Sequence, residues 1–403
     1  MVLDARTIPL DSTSAAELAA TGLDYATVPD DGEGFRLFHS AVDRGFLAPR
    51  STPEQVASAS QSLAYRRKVG VYDRGARTPE SPVATVDSWV AQLTTSPQRT
   101  VPMWAISDVT VSPTHRRRGI ARAMLLGELR AARDAGVPMA GLTVSEATIY
   151  GRWGFSPAVY TSDWSIDTRR ARWIGPVPQG RLDFVEQEEM PAILGAVYER
   201  ARLQRGGRIE GWPGLWVRTA GLRPGAEDAA KMRAVVYRDG DGVERGILVY
   251  SLTERADDHS AHELAVRALF ADGADAEAAL WRFAIEHDLV ATVTASLRPV
   301  DDPVRWMVSD QRAARVSVTD HHWLRILDVP AALSARSWAA DDSLVIRVDD
   351  PLGFAGGTWR LGTEGGELRE AEATDEASDV SLGVDALASL YLGGVSAAVL
   401  AAA

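Results

Sequence analysis

Apolar positions along this chain recur with two different periods, and the switch between them marks its elements. Between Ile120 and Ala135, the residues Ala121, Leu125, Leu129 and Ala132 share one helical face, and Gly136 and Pro138 stop the run. Just before it, Met103–Val111 reads as a strand ending at Ser112-Pro113; just after it, Met139–Val144 reads as a second strand. A turn and a short helix through Tyr150 follow. Upstream, Thr52–Tyr65 opens with Thr52, Pro53, Glu54 and Gln55, residue types that cap and start a helix. The order strand, basic loop, helix, strand, helix defines an α/β unit through about Pro157.

A second α/β segment follows a Pro- and Gly-containing connection at Arg170–Pro178. Its helix signals lie near Met190–Leu203 and Asp275–His287, and its strands near Ala234–Tyr237, Gly246–Leu252, Leu264–Phe270 and Val290–Ala295. From Pro299 the pattern changes. His322–Val329 and Ser343–Asp349 read as strands, Gly353–Gly366 as glycine-rich hairpins, and Asp385 as the cap of a helix through Tyr391. This part reads as a smaller α+β domain. Val395–Ala403 is an apolar helical segment with neither a polar end nor a glycine cap. It reads either as a docked terminal helix or as a helix from which further chain continues. The expected boundaries are 1–160, 161–298 and 299–403.

With 403 residues and roughly 100–200 residues per domain, two to four domains are expected. Apolar residues make up 46% and charged residues 24%, which excludes a largely disordered chain. No apolar run near an end approaches the roughly 18 residues of a membrane span, and Met1–Arg6 has no basic region leading into an apolar core. A cytoplasmic protein with no membrane partner is expected. The absence of cysteine removes disulfides, thiolate catalysis and cysteine-ligated metal sites. Forty-three basic against 55 acidic residues give a net charge of −12, which argues against broad nucleic-acid binding but not against a local basic pocket. Lys68 and Lys231 are the only lysines, so the positive charge is almost all guanidinium, suited to bidentate phosphate contacts.

Candidate chemistry concentrates in Val109–Ala121, where a strand feeds His115-Arg116-Arg117-Arg118-Gly119 and a helix begins at once. A helix start exposes unpaired N–H groups at the positive end of its dipole, and Gly119 lets backbone approach a pyrophosphate closely. Other phosphate and nucleophile signatures do not fit. There is no Gly-Lys-Ser/Thr, and no Gly-x-Ser-x-Gly elbow. Gly240-Asp241-Gly242 is followed by Gly246, one residue late for a dinucleotide fingerprint, and reads as a turn between strands. His259/His262 and His321-His322 lack carboxylates at metal-ligand spacing, so no metal is expected.

Arg116-x-x-Gly119-x-Ala121 after a Val-x-Val strand resembles the acetyl-CoA loop of GNAT N-acetyltransferases, and Tyr150-x-x-x-Gly154-Phe155 resembles the segment that closes their site. Longer stretches resemble the enhanced-intracellular-survival (Eis) type across most of the chain. These are Val109–Gly119, Ser145-Glu146 with Ile149–Arg152, Trp323–Ile326 with Val329–Leu333, and Leu390–Gly393. The resemblance implies an α/β (α+β) chain of two fused GNAT-like domains followed by a sterol-carrier-protein-like domain. Only the first GNAT domain would bind acetyl-CoA, since the second lacks Arg-x-x-Gly-x-Ala. It also implies a homohexamer acting on amines, including aminoglycosides.

Carried over to this chain, the resemblance puts the pantetheine on the backbone of Val109 and Val111. The pyrophosphate falls on Arg116, Arg117, Arg118, Gly119 and Ala121 with Arg122 beside them, and Ser145 near the cofactor arm. Ser145 reads equally as a helix N-cap. Val109 would hold the oxyanion, and Tyr150 would protonate the departing thiolate. By strand alternation Asp108 points away from Val109, where its carboxylate could hold a cationic acceptor or help deprotonate it through water. Asp43 is a further acidic candidate, and Trp89 with a loop over Ser81–Arg99 could wall the cleft. In the Eis type a chain-terminal carboxylate is the general base. Here the sequence ends at Ala403, so either about 20–40 further residues are expected, from typical element sizes, or this protein uses another base.

The resulting expectation is an acetyl-CoA-dependent N-acetyltransferase acting on a primary amine, aminoglycoside or polyamine-like, by direct attack. The alternatives are a protein or peptide lysine acetyltransferase, and a non-catalytic protein with an apolar ligand in its C-terminal domain.

Overall fold

The computed structural model describes residues 3–29, 32–255 and 258–403. Met1 and Val2, part of the stretch read for a leader, lie outside them. The chain divides into two compact units. One comprises Met1–Val159, Gly206–Ile209 and His321–Ala403, and the other Tyr160–Arg205 and Glu210–Asp320. Residues 299–320, expected with the C-terminal part, therefore pack with the second unit. Residues 321–403 share a unit with the N-terminal part.

The first unit opens with α1 (Ser12–Ala19), β1 (Leu23–Thr27), α2 (Gly32–Gly45) and α3 (Pro53–Ser62). As expected, Thr52 caps α3, completing a reciprocal capping box with Gln55. Next come β2 (Arg67–Asp73), β3 (Ala84–Ser96), β4 (Arg99–Val111), α4 (Ile120–Asp134), β5 (Met139–Thr143) and α5 (Ala147–Tyr150). The span Ser81–Arg99, expected as a cleft loop, is mostly strand β3. It hairpins onto β4 from Ala84↔Val111 to Ser96↔Arg99 and is buried over most of its length. The strands lie in the order β1-β2-β3-β4-β5, and only β4 and β5 are parallel. Helix α4 is the crossover. It buries Ile120, Met124, Leu125 and Leu129 together with Glu128, whose carboxylate accepts from Arg67, Ser88 and Trp104.

In the second unit, β6 (Ser156–Asp167) contributes its residues from Tyr160 onward. It is followed by β7 (Arg181–Val185), α6 (Met190–Arg202), α7 (Leu215–Thr219), β8 (Met232–Arg238), β9 (Glu244–Thr253) and β10 (His262–Ala271). Then come α8 (Ala274–Ile285), β11 (Val290–Pro299) and the start of β12 (Ala314–Ile326). The order is β6-β11-β10-β9-β8-β7, again with one parallel pair, β10 and β11, joined by the crossover α8. The two units thus repeat one topology: antiparallel hairpin, crossover helix, parallel strand.

Back in the first unit, the His322–Ile326 end of β12 pairs antiparallel with β5. Beyond it lie α9 (Val329–Ser334), β13 (Asp342–Asp349), β14 (Gly357–Glu364), β15 (Glu367–Ala373), β16 (Val380–Gly383), α10 (Val384–Leu390) and α11 (Ala397–Ala402). The four strands form a sheet in the order β15-β14-β13-β16. The positive φ of Gly365 and Gly366 makes the expected tight hairpin turn between β14 and β15. This sheet shares an apolar core with the β3–β5 region, in which Leu93, Met103, Met139, Leu324, Ile346 and Tyr391 are buried. Asp385 does not cap α10 as expected. Gly383 occupies the N-cap, and Asp385 lies in the first turn. Ser396 caps α11, none of whose residues is buried. No helix among the described residues is long and apolar enough to cross a membrane.

Candidate active site

The site grows from an irregularity in β4. Thr85 pairs with Thr110 and Asp87 with Ser107, so Val86 alone faces two residues, Asp108 and Val109. This is a β-bulge, and Asp108 takes a positive φ of 51° within it. The Thr85 hydroxyl pins the bulge, donating to the Asp108 carbonyl at 2.7 Å, and it lies 2.7 Å from the Thr110 hydroxyl. On the other edge of β4, pairing with β5 is confined to Trp104↔Ala140 and Ala105↔Gly141. Beyond those residues the two strands diverge.

Between the diverging ends lies a cavity of about 100 Å³. Ser107, Asp108 and Val109 line it from β4, Thr143 from β5, and Ser145, Tyr150 and Phe46 close it. The bulge overturns the expected alternation, since Asp108 and Val109 reach the same cavity. Ser145 does not cap α5. Glu146 holds that position without a side-chain bond, leaving Ser145 exposed on the cavity. Val111 lies further along β4, outside the lining.

Asp43 is engaged elsewhere. Its carboxylate accepts from the Ser51 N–H at 3.1 Å and lies 3.8 Å from His39, so Phe46 rather than Asp43 represents that segment in the cavity. Trp89 does not line it either, its ring lying 4.0 Å below the Arg66 guanidinium.

Past Val111 the chain enters the basic loop. His115 bridges to Asp73 at 3.0 Å, which holds that carboxyl below its ordinary range and braces the loop against the end of β2. Arg116, Arg117 and Arg118 are all exposed. Arg118 reaches Asp73 at 4.0 Å, whereas Arg116, Arg117 and Arg122 make no ion pair among the described residues. Gly119 has φ 78° and stands as the N-cap of α4 without a side-chain bond. The first N–H groups of α4 are therefore uncapped beside three unpaired guanidinium groups, with half-buried Ala121 keeping the first turn small. This combination is suited to a polyanion.

Tyr150 ends α5, half-buried, with its ring centroid 6.1 Å from Trp153 and 6.2 Å from Phe155. Burial, and secondarily the charge of Glu146, raise its pKa, so the phenol is held protonated. The turn after it is anchored by Arg325, which is fully buried. Arg325 donates from Nε to the Trp153 carbonyl at 2.7 Å and from Nη2 to both Asp350 oxygens at 2.8 and 2.7 Å. A Cβ on Gly154 would sit 2.7 Å from the Arg325 Nε, so that position requires glycine.

Asp87 and Arg66 were not foreseen. Asp87 has no exposed surface, and the Arg66 Nη1 donates to its oxygens at 3.2 and 3.1 Å. Strand-forming neighbours give no signal that a carboxylate at this position is buried.

The second unit offers a contrast at the equivalent crossover. The first turn of α8 carries Asp275 and Glu277, which place negative charge where the first unit exposes uncapped N–H groups. Among the described residues, no group of three or more His, Asp or Glu could hold a metal ion.

Residues 32–158 and 207–326 each match an acetyltransferase (GNAT) domain family, and residues 329–403 match the sterol carrier protein domain. N-acetyltransferase Eis of Mycobacterium tuberculosis is 33% identical over 386 residues, covering 93% of this chain and 90% of that protein. The chain belongs to the Eis family of N-acetyltransferases. An uncharacterized N-acetyltransferase of Streptomyces avermitilis is 36% identical over 371 residues, covering 90% of this chain and 87% of that one. Among solved structures, Eis1 from Mycobacterium abscessus is similar with a TM-score of 0.78 at 30% identity, covering 94% of this chain and 92% of that one. A GCN5-related N-acetyltransferase from Kribbella flavida gives a TM-score of 0.69 at 26% identity, covering 95% and 92%. This Eis-family protein is therefore an acetyltransferase built from two GNAT domains and a sterol-carrier-like domain.

Proposed function

We propose that this acetyltransferase moves the acetyl group of acetyl-CoA to a small cationic primary amine, polyamine-like or an aminoglycoside, by direct attack in a ternary complex. The observation that carries the reading is the convergence of Asp108, Val109, Ser145 and Tyr150 on one cavity beside an unpaired arginine cradle.

The residues fit the co-substrate. The uncapped start of α4 with Arg116, Arg117, Arg118 and Arg122 would hold its pyrophosphate. The backbone of Val109 and Val111, beyond the last pairing of β4 with β5, would hold its amide-bearing arm. Asp108 would seat the acceptor ammonium, and a neutral amine would attack the thioester carbonyl with the Val109 N–H on the developing oxyanion. Tyr150, held protonated by burial, would give its proton to the departing sulfur. Homohexameric assembly and cytoplasmic residence accompany this proposal on family resemblance alone.

Thiol release from acetyl-CoA across polyamines, aminoglycosides and lysine peptides, with products mapped by mass, tests it. Release with small amines and not peptides supports the reading. Peptide-only turnover would replace the acceptor class, and saturable acetyl-CoA binding without release by any amine would refute catalysis.

A further inference from the structure

The two units repeat one topology, but one element of the first has no counterpart in the second. In the first unit α1 packs against the crossover helix α4 and the edge strand β1. Its Ser14 hydroxyl donates to the Ala123 carbonyl of α4 at 2.6 Å, and Leu23 and Tyr25 of β1 are buried in the same core. The corresponding edge strand of the second unit, β7, repeats the Leu-Asp-aromatic order as Leu182-Asp183-Phe184. No helix lies between Asp167 and Arg181, where Gly175, Pro176, Pro178 and Gly180 disfavour one. Leu182 is accordingly only half-buried, and Phe184 is 75% exposed.

The uncovered place is a cavity of about 510 Å³ between β7, β8 and α8. Leu182, Tyr237, Ala279 and Phe283 give it apolar and aromatic walls, and Pro178 and Gly180 complete them from the segment before β7. The Phe283 ring is fixed by edge contacts with Tyr250, His287 and Phe184, at centroid distances of 5.7, 5.3 and 6.5 Å. The Tyr237 hydroxyl is engaged, donating to Asp275 and accepting from the Gly180 N–H at 2.8 Å, so its ring is what it offers a ligand. Among the Arg, Asp and Glu side chains of the lining, Arg282 is held by Glu286 at 2.7 Å. Asp288 makes no ion pair among the described residues. One net negative charge thus stands among aromatic rings, a combination that attracts an organic cation. The space is that of a small ligand, since such sites span about 300–1,000 Å³.

We infer that this cavity of the second unit binds a small organic cation with an apolar or aromatic body. Asp288 balances the charge, and the rings of Phe283, Tyr237 and His287 receive the body. The cavity shares no residue with the one at Asp108 and Tyr150, and the inference does not depend on the acetyl-transfer reading.

The test uses benzyltrimethylammonium, which has no N–H bond and so cannot be acetylated, in calorimetric titration of the full chain. Saturable binding is expected with a Kd of about 1–10 mM, the range for a ligand of about a dozen heavy atoms. Benzenesulfonate, of similar size and opposite charge, should not bind. Asp288→Asn and Phe283→Leu should each weaken the cation by about threefold or more, whereas Asp108→Asn should leave it unchanged. If Phe283→Leu proves unfolded in thermal melts, the exposed Asp288→Asn carries the comparison. Absence of saturable cation binding, equal binding of the sulfonate, or an affinity unmoved by Asp288→Asn would overturn the inference. So would loss of binding in Asp108→Asn alone, which would place the cation in the acetyl-transfer cavity instead.

Discussion

Gly119 offers the sharpest separation of folding from cofactor binding. Its φ of 78° lies in the left-handed region, and a Cβ built there meets no atom within 4 Å. Replacement by Ala or Val therefore causes no clash in the free protein, and the cost to the fold is the strain of a left-handed L-residue. That strain is roughly 1–2 kcal/mol, at the upper end for β-branched Val. The added group projects into open space where the uncapped N–H groups of α4 and the three unpaired arginines converge. Acetyl-CoA affinity should fall by about tenfold or more for Gly119→Val, equivalent to about 1.4 kcal/mol or more, and by less for Gly119→Ala. Calorimetric titration with acetyl-CoA measures the affinity, and urea unfolding of the same samples measures the strain. Variants that lose the expected stability yet bind acetyl-CoA unchanged would refute the phosphate-cradle reasoning.

Tyr150→Phe should lower kcat by about 10²-fold while sparing acetyl-CoA affinity; an unchanged kcat in steady-state assays would reduce Tyr150 to a packing residue. Arg325→Met should destabilise the protein by about 3–5 kcal/mol, because it strands a buried Asp350. A urea midpoint that barely moves would show that the Trp153 turn is held by other contacts. His322 is pushed down from 6.5 to about 4, chiefly by burial and then by the charge of His321. The unfolded chain thus binds the proton first, so stability is intact above about 6.5 and is lost as pH falls toward 4. His322→Gln should flatten that acid limb in thermal melts, and an equally steep limb would place the acid sensitivity elsewhere.

Much of the first unit was legible because its signals are local. The Thr52–Gln55 capping pattern, the stripe of α4 and the basic loop ending at Gly119 each depend on residues a turn apart. What escaped depends on partners far along the chain. Glu128 looks like a solvated helix residue until Arg67, Ser88 and Trp104 close on it. Asp87 looks like a polar strand position until Arg66 and Asp108 face it. Period-two reasoning failed at Asp108 because a bulge is set by the register of β3 against β4, which no spacing within β4 reveals. Asp385 as a cap, and the N-cap alternative for Ser145, go wrong for the opposite reason. Both are good capping residues at the right distance from a helix, but the chain turned one residue or more away from them.

The bulge also fixes how much length change this strand can absorb over evolution. Thr110 packs so closely on α2 that a Cβ at Gly45 would sit 2.4 Å from the Thr110 Cβ. Deleting one residue between Ser107 and Thr110 would remove the bulge yet leave Thr110 opposite Thr85 and Ser107 opposite Asp87, so the strand would keep its register. A one-residue shortening at this point would therefore cost the cavity one of its lining residues while sparing the pairing of β3 with β4.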